Sequence, residues 1–399
     1  MEEFRHIADL LQQVQGYIYP NEVDLQWGLI IVIYPYLTGL VAGAFILASL
    51  EKVFQVKAVQ PTYRMALLTA FAFLLAAPLP LLVHLGHQER ALEMFMTPNL
   101  TSAMAMFGFV YAWYLMVVLA MEIWFDYRAD LIRWAREEPT WWQRHWIHRA
   151  ISLFSTDTSA RAVAFDHHVV HVLSIIGIPS AFLLHGYVGF IFGSIKANPW
   201  WSSVLMPIVF IFSAIVSGIA LVMLIYMVVS WLRSQESDLA CLDTITNYLM
   251  YAIIIDFALE MLDFIQRVYE AEEALHIFTE MVRSKLLISL VGLQVLGGIL
   301  VPLLVLVAVK ILPTPPQWKR LAYFGVAVLV QIGIFAMRWN VIMGGQFFSK
   351  SLRGLTTYKL QFWGLESLPV AIVLLLIPFG ILGVLFLILP PWEEAAAEE

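Results

Sequence analysis

The 399 residues of this chain are 61% apolar and only 13% charged, whereas soluble proteins contain about 45–50% apolar and about 25% charged residues. So few charges cannot cover a surface in water, and the composition therefore predicts an integral membrane protein. The net charge of −7 and the lack of a basic run argue against a nucleic-acid partner.

Long apolar runs recur along the whole chain. A helix needs roughly 20 apolar residues to cross the bilayer core, and a backbone in lipid must satisfy its own hydrogen bonds, which favours helices. The nine predicted transmembrane helices are 27–50, 65–85, 102–124, 167–190, 204–232, 244–266, 286–311, 321–338 and 368–390. We therefore expect an all-α polytopic membrane protein with about nine transmembrane helices.

The predicted helices divide the chain into four parts. Residues 1–26 are predicted to form an interfacial amphipathic segment, and 27–190 a first bundle of four helices. A second helix bundle is expected over 191–338. Residues 339–399 then contain an outer loop, the last transmembrane helix and an acidic C-terminal tail.

Arginine and lysine predict the orientation of the chain. They are concentrated in loops 51–64 and 125–166, and are sparse on the opposite side of the first four helices. Basic loops usually remain in the cytoplasm. We therefore expect a bacterial or archaeal cytoplasmic membrane, with the N-terminus outside and the C-terminus in the cytoplasm.

Polar residues gather at the predicted outer ends of several helices. Helix two ends with His84 and Arg90, helix four ends with His185 and Tyr187, and Tyr34 lies in helix one. Ionisable residues at membrane depth cost free energy and are the first functional candidates. Histidine can donate, accept and relay protons near neutral pH, and aromatic rings can line a flat slot. This combination suits a quinone ring with its two carbonyls, although the same residues could merely cap helix ends.

Helix six carries acidic residues at membrane depth. Asp256, Glu260 and Asp263 are spaced i, i+4 and i+7 and therefore share one face. Three carboxylates on one buried face cannot all ionise cheaply, so one of them could carry a proton. The alternative is a structural network in which Asp263 pairs with Arg267 and the other two bond to neighbouring helices.

A second set of polar residues lies at the predicted inner side. Glu122 is near the end of helix three, and His171 is near the start of helix four. We consider a role for both in proton uptake. The spacing of His167 and His171 would also fit a metal or haem pair, but both lie on one helix close to the interface, which favours side chains that reach towards water.

The single cysteine limits the redox chemistry of the chain. Cys241 excludes a disulfide framework, and it excludes an iron–sulfur cluster held by this chain alone, which needs about four thiolates. We therefore expect that the chain itself holds no metal and that any redox metal belongs to a partner.

Four stretches resemble one known family, the NrfD/PsrC membrane subunits of respiratory complexes. They are WGLIIVIYPYLTGLVAGAF, HLGHQERALEMFMTPNLTSAMAMFG, HGYVGFIFGSIKANPWW and RWNVIMGGQFFSKSLRG. The last stretch is most similar to the long branch that includes DsrP-type and HybB-type subunits. Gln88 stands where family members commonly have proline, and long members often have ten helices.

The resemblance implies a core of two four-helix bundles, with a quinol pocket in the first bundle near the outer face. It also implies an iron–sulfur subunit docked on that face. By motif match, His84, Arg90 and His185 are expected in the pocket, with Tyr34 and Tyr187 as ring or hydroxyl contacts. Arg338 and Asn340 match the outer-side motif of the second bundle.

The sequence therefore favours a quinone-binding membrane anchor of a multisubunit respiratory oxidoreductase. The quinone would be menaquinone or ubiquinone. The partners would be a ferredoxin-like iron–sulfur subunit and a further redox subunit of molybdopterin, hydrogenase or sulfite-reductase type. Whether electron transfer is coupled to proton translocation stays open at this point. Three alternatives remain: a b-type cytochrome, an ion transporter that uses the acidic face of helix six, and a purely structural anchor.

Overall fold

The computed structural model describes residues 14–23, 25–136, 142–270 and 275–392, and most of this part of the chain is helical. Two short strands, β1 (Gln15–Tyr17) and β2 (Arg353–Leu355), are also present. The α-helices are α1 (Leu29–Lys52), α2 (Tyr63–Ala76), α3 (Leu79–His84), α4 (Glu93–Met96), α5 (Ala103–Trp113), α6 (Ala120–Arg136), α7 (Trp142–Ile151), α8 (Ala160–Gly193), α9 (Met206–Leu232), α10 (Leu239–Glu270), α11 (Leu275–Met281), α12 (Val301–Ile311), α13 (Pro316–Phe347) and α14 (Leu368–Ile388).

Two stretches of π-helix interrupt these elements. The first, π1 (Tyr114–Leu119), joins α5 to α6, and the second, π2 (Val282–Leu300), joins α11 to α12. Each pair of α-helices and its π segment thus forms one continuous rod. A π-helix widens each turn and often occurs at functional sites, and π2 places Ser289 and Gln294 on the polar network described below.

Eight rods in the described part of the chain are long and apolar enough to cross a membrane. The all-α polytopic fold is therefore confirmed. The sequence predicts one more transmembrane helix, over 244–266, and the difference lies in α10. Its 32 residues span about 48 Å, and it carries the buried carboxylates of Asp256, Glu260 and Asp263.

Helix α1 is the centre of the packing. It contacts α2 and α8 of the first half (residues 29–193) as well as α9 and α13 of the second half (residues 206–347). Gly43 allows the closest approach, because a Cβ added there would overlap the carbonyl oxygen of Ala214 in α9. Lipid chains are as apolar as helix surfaces, so small residues that let backbones approach are a main source of helix association in membranes.

The two ends of the helix bundle differ in character. At the end that we call the sheet end, β1 and β2 form an antiparallel pair in which Gln15 is opposite Leu355. At the opposite end, the arginine end, Arg64 bonds to Asp126 and Asp130. A second arginine, Arg128, bonds to Asp166 at the same end. The sheet end corresponds to the predicted outer side.

A proline shapes the transition from α2 to α3. Pro78 has no N–H, so the carbonyl of Leu74 four residues earlier cannot receive its usual helix bond. The hydroxyl of Tyr111 in α5 donates to that carbonyl instead. The kink is therefore stabilised by a neighbouring helix, as membrane helices require.

The structure describes only part of the two predicted terminal segments. Residues 1–13 of the predicted amphipathic segment and residues 393–399 of the acidic tail lie outside the described residues. From Gln15 onward the first segment forms β1 and the 3₁₀ turn Pro20–Glu22. The buried Glu22 carboxylate accepts hydrogen bonds from the Ser349 hydroxyl at 2.5 Å and the Lys350 N–H at 3.0 Å. These bonds attach the N-terminal segment to the loop after α13.

Candidate functional site

The two polar residues predicted at the end of helix two lie at the sheet end. His84 is the last residue of α3 and is half-buried, and its Nδ1 lies 2.5 Å from Oε1 of Glu366. Arg90 follows in an exposed 3₁₀ turn. Glu366 was not a candidate from the sequence, because no local pattern places it beside a residue 282 positions earlier in the chain.

Three aromatic rings from different helices form a column in the first half. Phe107 of α5 lies between Tyr34 of α1 and Tyr187 of α8, with ring centres 5.9 Å apart in both pairs. Tyr34 and Phe107 are buried, and Tyr187 is half-buried. The Tyr34 hydroxyl has no hydrogen-bond partner among the described residues, which is uncommon for a buried polar group. Phe107, which sequence reasoning missed, connects the two predicted tyrosines.

His185 is fully buried and lies apart from His84. It precedes the end of α8 at Gly193 by about 12 Å, whereas His84 is at the sheet end itself. Its Nε2 accepts a hydrogen bond of 2.9 Å from Nη2 of Arg338. Its Nδ1 has no partner among the described residues. The two histidines predicted in one pocket are therefore at different depths.

Arg338 links the first half of the chain to the second. Besides His185, its Nη2 donates to the Ser213 hydroxyl at 2.7 Å, and its guanidinium lies 4.2 Å from the centre of the Phe210 ring. Its side chain is fully buried. Among the described residues no carboxylate lies in contact with it, although Asp256 and Glu260 interact with it electrostatically. A buried charge without a contacting counter-charge is costly and points to a function.

A chain of hydrogen bonds crosses the second half. The amide of Gln294 in π2 donates to Glu260 of α10 at 2.9 Å. Asn340 of α13 donates to the Gln294 carbonyl oxygen at 2.7 Å and accepts from the Ser289 hydroxyl at 2.5 Å. Asn340 and Glu260 are thus joined through Gln294. Sequence reasoning identified the two ends but missed Gln294 and Ser289, which lie among apolar residues with no distinguishing pattern.

The three carboxylates of α10 have different surroundings. Asp263 is bonded to Arg267 and to the Ser203 hydroxyl. The structural alternative considered for this residue is therefore what the structure shows. Asp256 and Glu260 are also buried, and each has one carboxylate oxygen without a partner among the described residues. The proton-carrying role considered for these two residues stays a prediction.

The candidates at the arginine end are not joined to each other. Glu122 is buried and accepts a hydrogen bond of 2.6 Å from the Ser174 hydroxyl. The ring of His171 is exposed and its Nδ1 lies 3.0 Å from the carbonyl of Lys52. Both are at a similar level of α8, since Ser174 and His171 are less than one turn apart. The bonds observed leave them as two separate groups.

Known proteins resemble most of the chain that carries these residues. The model of the family described as "Polysulphide reductase, NrfD" matches residues 20–350. The chain belongs to the NrfD family. The matched region contains every candidate residue named above except Glu366, so the resemblance stated from the four motifs is confirmed.

Two relatives of this NrfD chain are named as components of reductases. The C component of selenate reductase from Mesobacillus selenatarsenatis is 30% identical over 324 residues, which cover 79% of this chain and 73% of that protein. A putative membrane component of dimethyl sulfoxide reductase from Halobacterium salinarum is 28% identical over 203 residues, covering 50% of this chain and 42% of that protein.

The last helix of this NrfD chain, α14, lies outside the matched region and closes one side of a large groove. The groove has a volume of about 1150 Å³ and lies between α14 and helices α1, α9 and α13. Its lining is almost entirely apolar. Two of its few polar groups satisfy each other, because the Tyr36 hydroxyl donates to Gln331 at 2.7 Å and Gln331 donates to the Ser217 carbonyl. None of the five residues predicted around the quinone lines this groove.

A third polar group, Tyr358, lies at the sheet end of the groove. Its hydroxyl accepts a hydrogen bond of 3.3 Å from the N–H of Leu29. Burial, and then the nearby Glu366 carboxylate, raise the pKa of Tyr358, which keeps the hydroxyl protonated and able to donate. Tyr358 therefore lies near both the groove and the His84–Glu366 pair.

Metal-binding side chains do not converge in the described part of the NrfD chain. No group of three or more His, Cys, Asp and Glu residues lies within reach of one ion there. The thiol of Cys241 is buried and free. The polar sites of this part of the chain are thus built from hydrogen-bonding and proton-accepting groups.

Proposed function

We propose that this NrfD chain is the quinone-reactive membrane subunit of a multisubunit oxidoreductase. It would exchange electrons between menaquinone or ubiquinone and a ferredoxin-like iron–sulfur subunit. Membership of the NrfD family and two relatives named as reductase components support a membrane subunit of this kind. Because Cys241 is the only cysteine, the clusters would belong to a partner, and a further redox subunit would act on the soluble substrate.

The aromatic column of the first half carries this proposal. A quinone supplies two-electron, two-proton redox chemistry, and its ring needs flat apolar walls with hydrogen-bonding groups at its two carbonyls. Phe107 and Tyr187 supply the walls. The Tyr34 hydroxyl and Nδ1 of His185 are buried without partners, so each could bond to a carbonyl. Tyr34 and His185 lie at similar levels of the bundle. His185 packs beside Gly39 of α1, and Gly39 is about 7.5 Å along the helix axis from Tyr34.

The large groove by α14 is a weaker position for the ring. Its polar pair, Tyr36 and Gln331, is already satisfied by hydrogen bonds inside the protein. A quinone carbonyl in the groove would have to replace those bonds. Because a net hydrogen bond contributes only about 0.5–1.5 kcal/mol, exchanging one bond for another would gain little free energy. The apolar lining instead suits hydrocarbon chains. We therefore place the ring between α1, α5 and α8.

The residues at the sheet end would handle protons and the partner. The His84–Glu366 pair lies at this end, where a histidine beside a carboxylate can accept a proton from a quinol hydroxyl and pass it on. Arg90 is exposed nearby and would contact the partner or an anionic quinol. Docking of the iron–sulfur subunit on this face would keep the electron-transfer distance short.

Proton transfer through the second half is a further part of the proposal. Asp256 and Glu260 have unpartnered oxygens, and Glu260 is joined by hydrogen bonds through Gln294 to Asn340. Glu122 and His171 would take up protons from the arginine end. Asp263 would hold the helices together, since Arg267 and Ser203 occupy its carboxylate.

The proposal is tested by comparing two phenol hydroxyls in the assembled complex. Tyr34→Phe removes only the hydroxyl from the aromatic column, and we expect KM for quinol to rise roughly two- to tenfold, as loss of one hydrogen bond predicts. Tyr63→Phe removes another buried, unpartnered hydroxyl, at the arginine end, and should leave KM unchanged. His84→Ala should also slow quinol oxidation. Unchanged kinetics in both Tyr34→Phe and His84→Ala would refute the site.

The b-type cytochrome makes a different prediction. A haem iron needs a free imidazole nitrogen, but Nε2 of His185 receives a hydrogen bond from a guanidinium, and a cation so close opposes binding of a second positive centre. The purified subunit should therefore show no Soret band. A Soret band that is lost in His185→Ala would overturn the quinone assignment of this residue.

A further inference from the structure

The contact between His185 and Arg338 passes the central helix at a glycine. A Cβ added to Gly39 of α1 would lie 3.1 Å from Nε2 of His185 and 3.4 Å from Nη2 of Arg338. The contact joins α8 of the first half to α13 of the second. Gly39 thus provides the space in which a buried histidine and a buried arginine can meet.

The chemistry of the pair dictates the tautomer of the histidine. A guanidinium has only donors, so Nε2 of His185 must be the acceptor of the 2.9 Å bond from Arg338. The proton of the neutral ring is then on Nδ1. A second proton can bind only to Nε2. There it would set the imidazolium N–H against the guanidinium N–H of Arg338, so that two donors and two positive charges would face each other. Protonation of His185 and loss of the bond to Arg338 are therefore one event.

Unsatisfied groups that interact with Arg338 indicate a second partner for its guanidinium. Nε of Arg338, Oδ1 of Asp256 and Oε1 of Glu260 all lack hydrogen-bond partners among the described residues. Both carboxyl groups interact electrostatically with Arg338. A donor without an acceptor and two acceptors without donors are thus electrostatically linked through one buried cation.

The charged and titratable groups around His185 are few. Arg338 of α13 is in contact with it, and Asp256 and Glu260 of α10 act through Arg338. Tyr36 of α1 also interacts with Arg338. The residues that contact the ring or the guanidinium without titrating are Gly39, Phe210, Ser213 and Met337. Arg267 also interacts with Glu260 but is bonded to Asp263, so the remaining charge of the buried cluster is set by His185, Arg338 and the two carboxyl groups.

We propose that the His185–Arg338 contact is an electrostatic junction that couples proton uptake by His185 in the first half to proton release from the Asp256–Glu260 pair in the second. With His185 neutral, one guanidinium balances one carboxylate, and the other carboxyl group keeps its proton, because uncompensated buried charge is costly. When His185 gains a proton, the cluster has two positive charges. Neutrality is restored when the second carboxyl group loses its proton and Arg338 turns towards α10.

The junction needs no continuous path of hydrogen bonds between the two halves. One proton binds at Nε2 of His185 and a different proton leaves the carboxyl pair of α10, so the count of protons balances. This inference rests on the proposed proton relay, and it specifies how the first half would control it. Arg338 acts here as a positioning residue through its charge.

The test uses the full chain in lipid nanodiscs without quinone, so that its outcome is separate from that of the quinone proposal. Selective ¹⁵N labelling of histidine reports the tautomer, and the His185 signal is the one lost in His185→Gln. At neutral pH we expect the proton on Nδ1 and a bare Nε2. A proton on Nε2 of the neutral ring would overturn the junction, and this measurement needs no variant of Arg338.

Infrared difference spectra then measure the coupling. When acid protonates His185, we expect the band of a protonated carboxyl group to decrease, whereas ordinary acid titration would increase it. Asp256→Asn or Glu260→Gln should remove that decrease. Arg338→Gln can still donate to His185 but has no charge, and it should abolish the change. Arg320→Gln, on the same helix but paired with Glu236 at the arginine end, should retain it. A change that persists in Arg338→Gln would refute the coupling.

Discussion

Removal of the Asp166 carboxylate tests whether the arginine end is held by buried ion pairs. Nε of Arg128 lies 3.0 and 2.8 Å from the two oxygens of Asp166, and Nη2 lies 2.6 Å from one of them. Each side chain is only 7% exposed. Asp166→Ala would leave the guanidinium buried with the Asp157 carbonyl and the Ser155 hydroxyl as its acceptors among the described residues.

The expected loss of stability follows from this burial. Removing one partner of a buried ion pair costs about 3–5 kcal/mol, because the other charge remains without compensation. Two acceptors remain for Arg128, so we expect a value near the lower limit, about 3 kcal/mol. The exposed pair of His87 and Glu89 at the sheet end is the control, since its side chains are 69% and 70% exposed. Glu89→Ala should cost less than about 1 kcal/mol.

Unfolding of the full chain by SDS in mixed micelles, followed by far-UV circular dichroism, measures both values. The difference between the two variants is the decisive quantity, because each removes one carboxylate that is bonded to a nitrogen of a basic side chain. A loss below about 1 kcal/mol for Asp166→Ala, equal to that of Glu89→Ala, would refute the claim that burial makes the Arg128 pair structural.

Two further substitutions test the helix crossing and the sheet end. Gly43→Ala places a Cβ against the Ala214 carbonyl oxygen and should lower the free energy of unfolding in SDS by roughly 1–3 kcal/mol. The control Gly380→Ala meets no atom within 4 Å and should leave that free energy unchanged. Equal effects of the two variants would contradict the close packing of α1 against α9. Glu22→Ala removes a charged acceptor from the Lys350 N–H, and hydrogen–deuterium exchange of that amide should become roughly tenfold faster. Unchanged exchange would show that Glu22 does not attach the N-terminal segment.

The predicted helices could be derived from the sequence because the bilayer imposes a simple local rule. Any run of about 20 apolar residues must form a helix there, and eight of the predicted spans agree with long apolar rods. The ninth, α10, shows where the rule weakens. Its three acidic residues lower its hydropathy, and contacts with α9 and with the segment Lys57–Thr62 of the first half explain how it is accommodated.

The basic residues used to predict the orientation show a second difference between sequence and structure. Arg64 and Arg128 lie in the predicted cytoplasmic loops, but both are mostly buried and bonded to aspartates of α6 or α8. A count of charges treats every arginine as a free cation in a loop. The structure shows that these two also connect helices, which no count can reveal.

The candidate site depends on distances that no local pattern contains. His84 and Tyr34 were identified from residue type and depth, and the sequence also identified His185 and Arg338 as separate candidates. That His84 contacts Glu366, and that His185 contacts Arg338 across 153 positions of the chain, could not be derived. Helix pairing in lipid is decided by the shapes of helix surfaces, and those shapes require the whole fold.

The sequence by itself determined that this protein spans a membrane, which family it resembles, and that its single cysteine cannot hold an iron–sulfur cluster alone. These properties follow from composition, from apolar runs and from a single cysteine, all of which are local or additive. Only the tertiary structure decided which polar groups are satisfied and which are left without partners. Gly39 and Gly43 allow α1 to pack closely against its neighbours in both halves. That packing brings His185 to Arg338 and leaves the Tyr34 hydroxyl without a partner among the described residues.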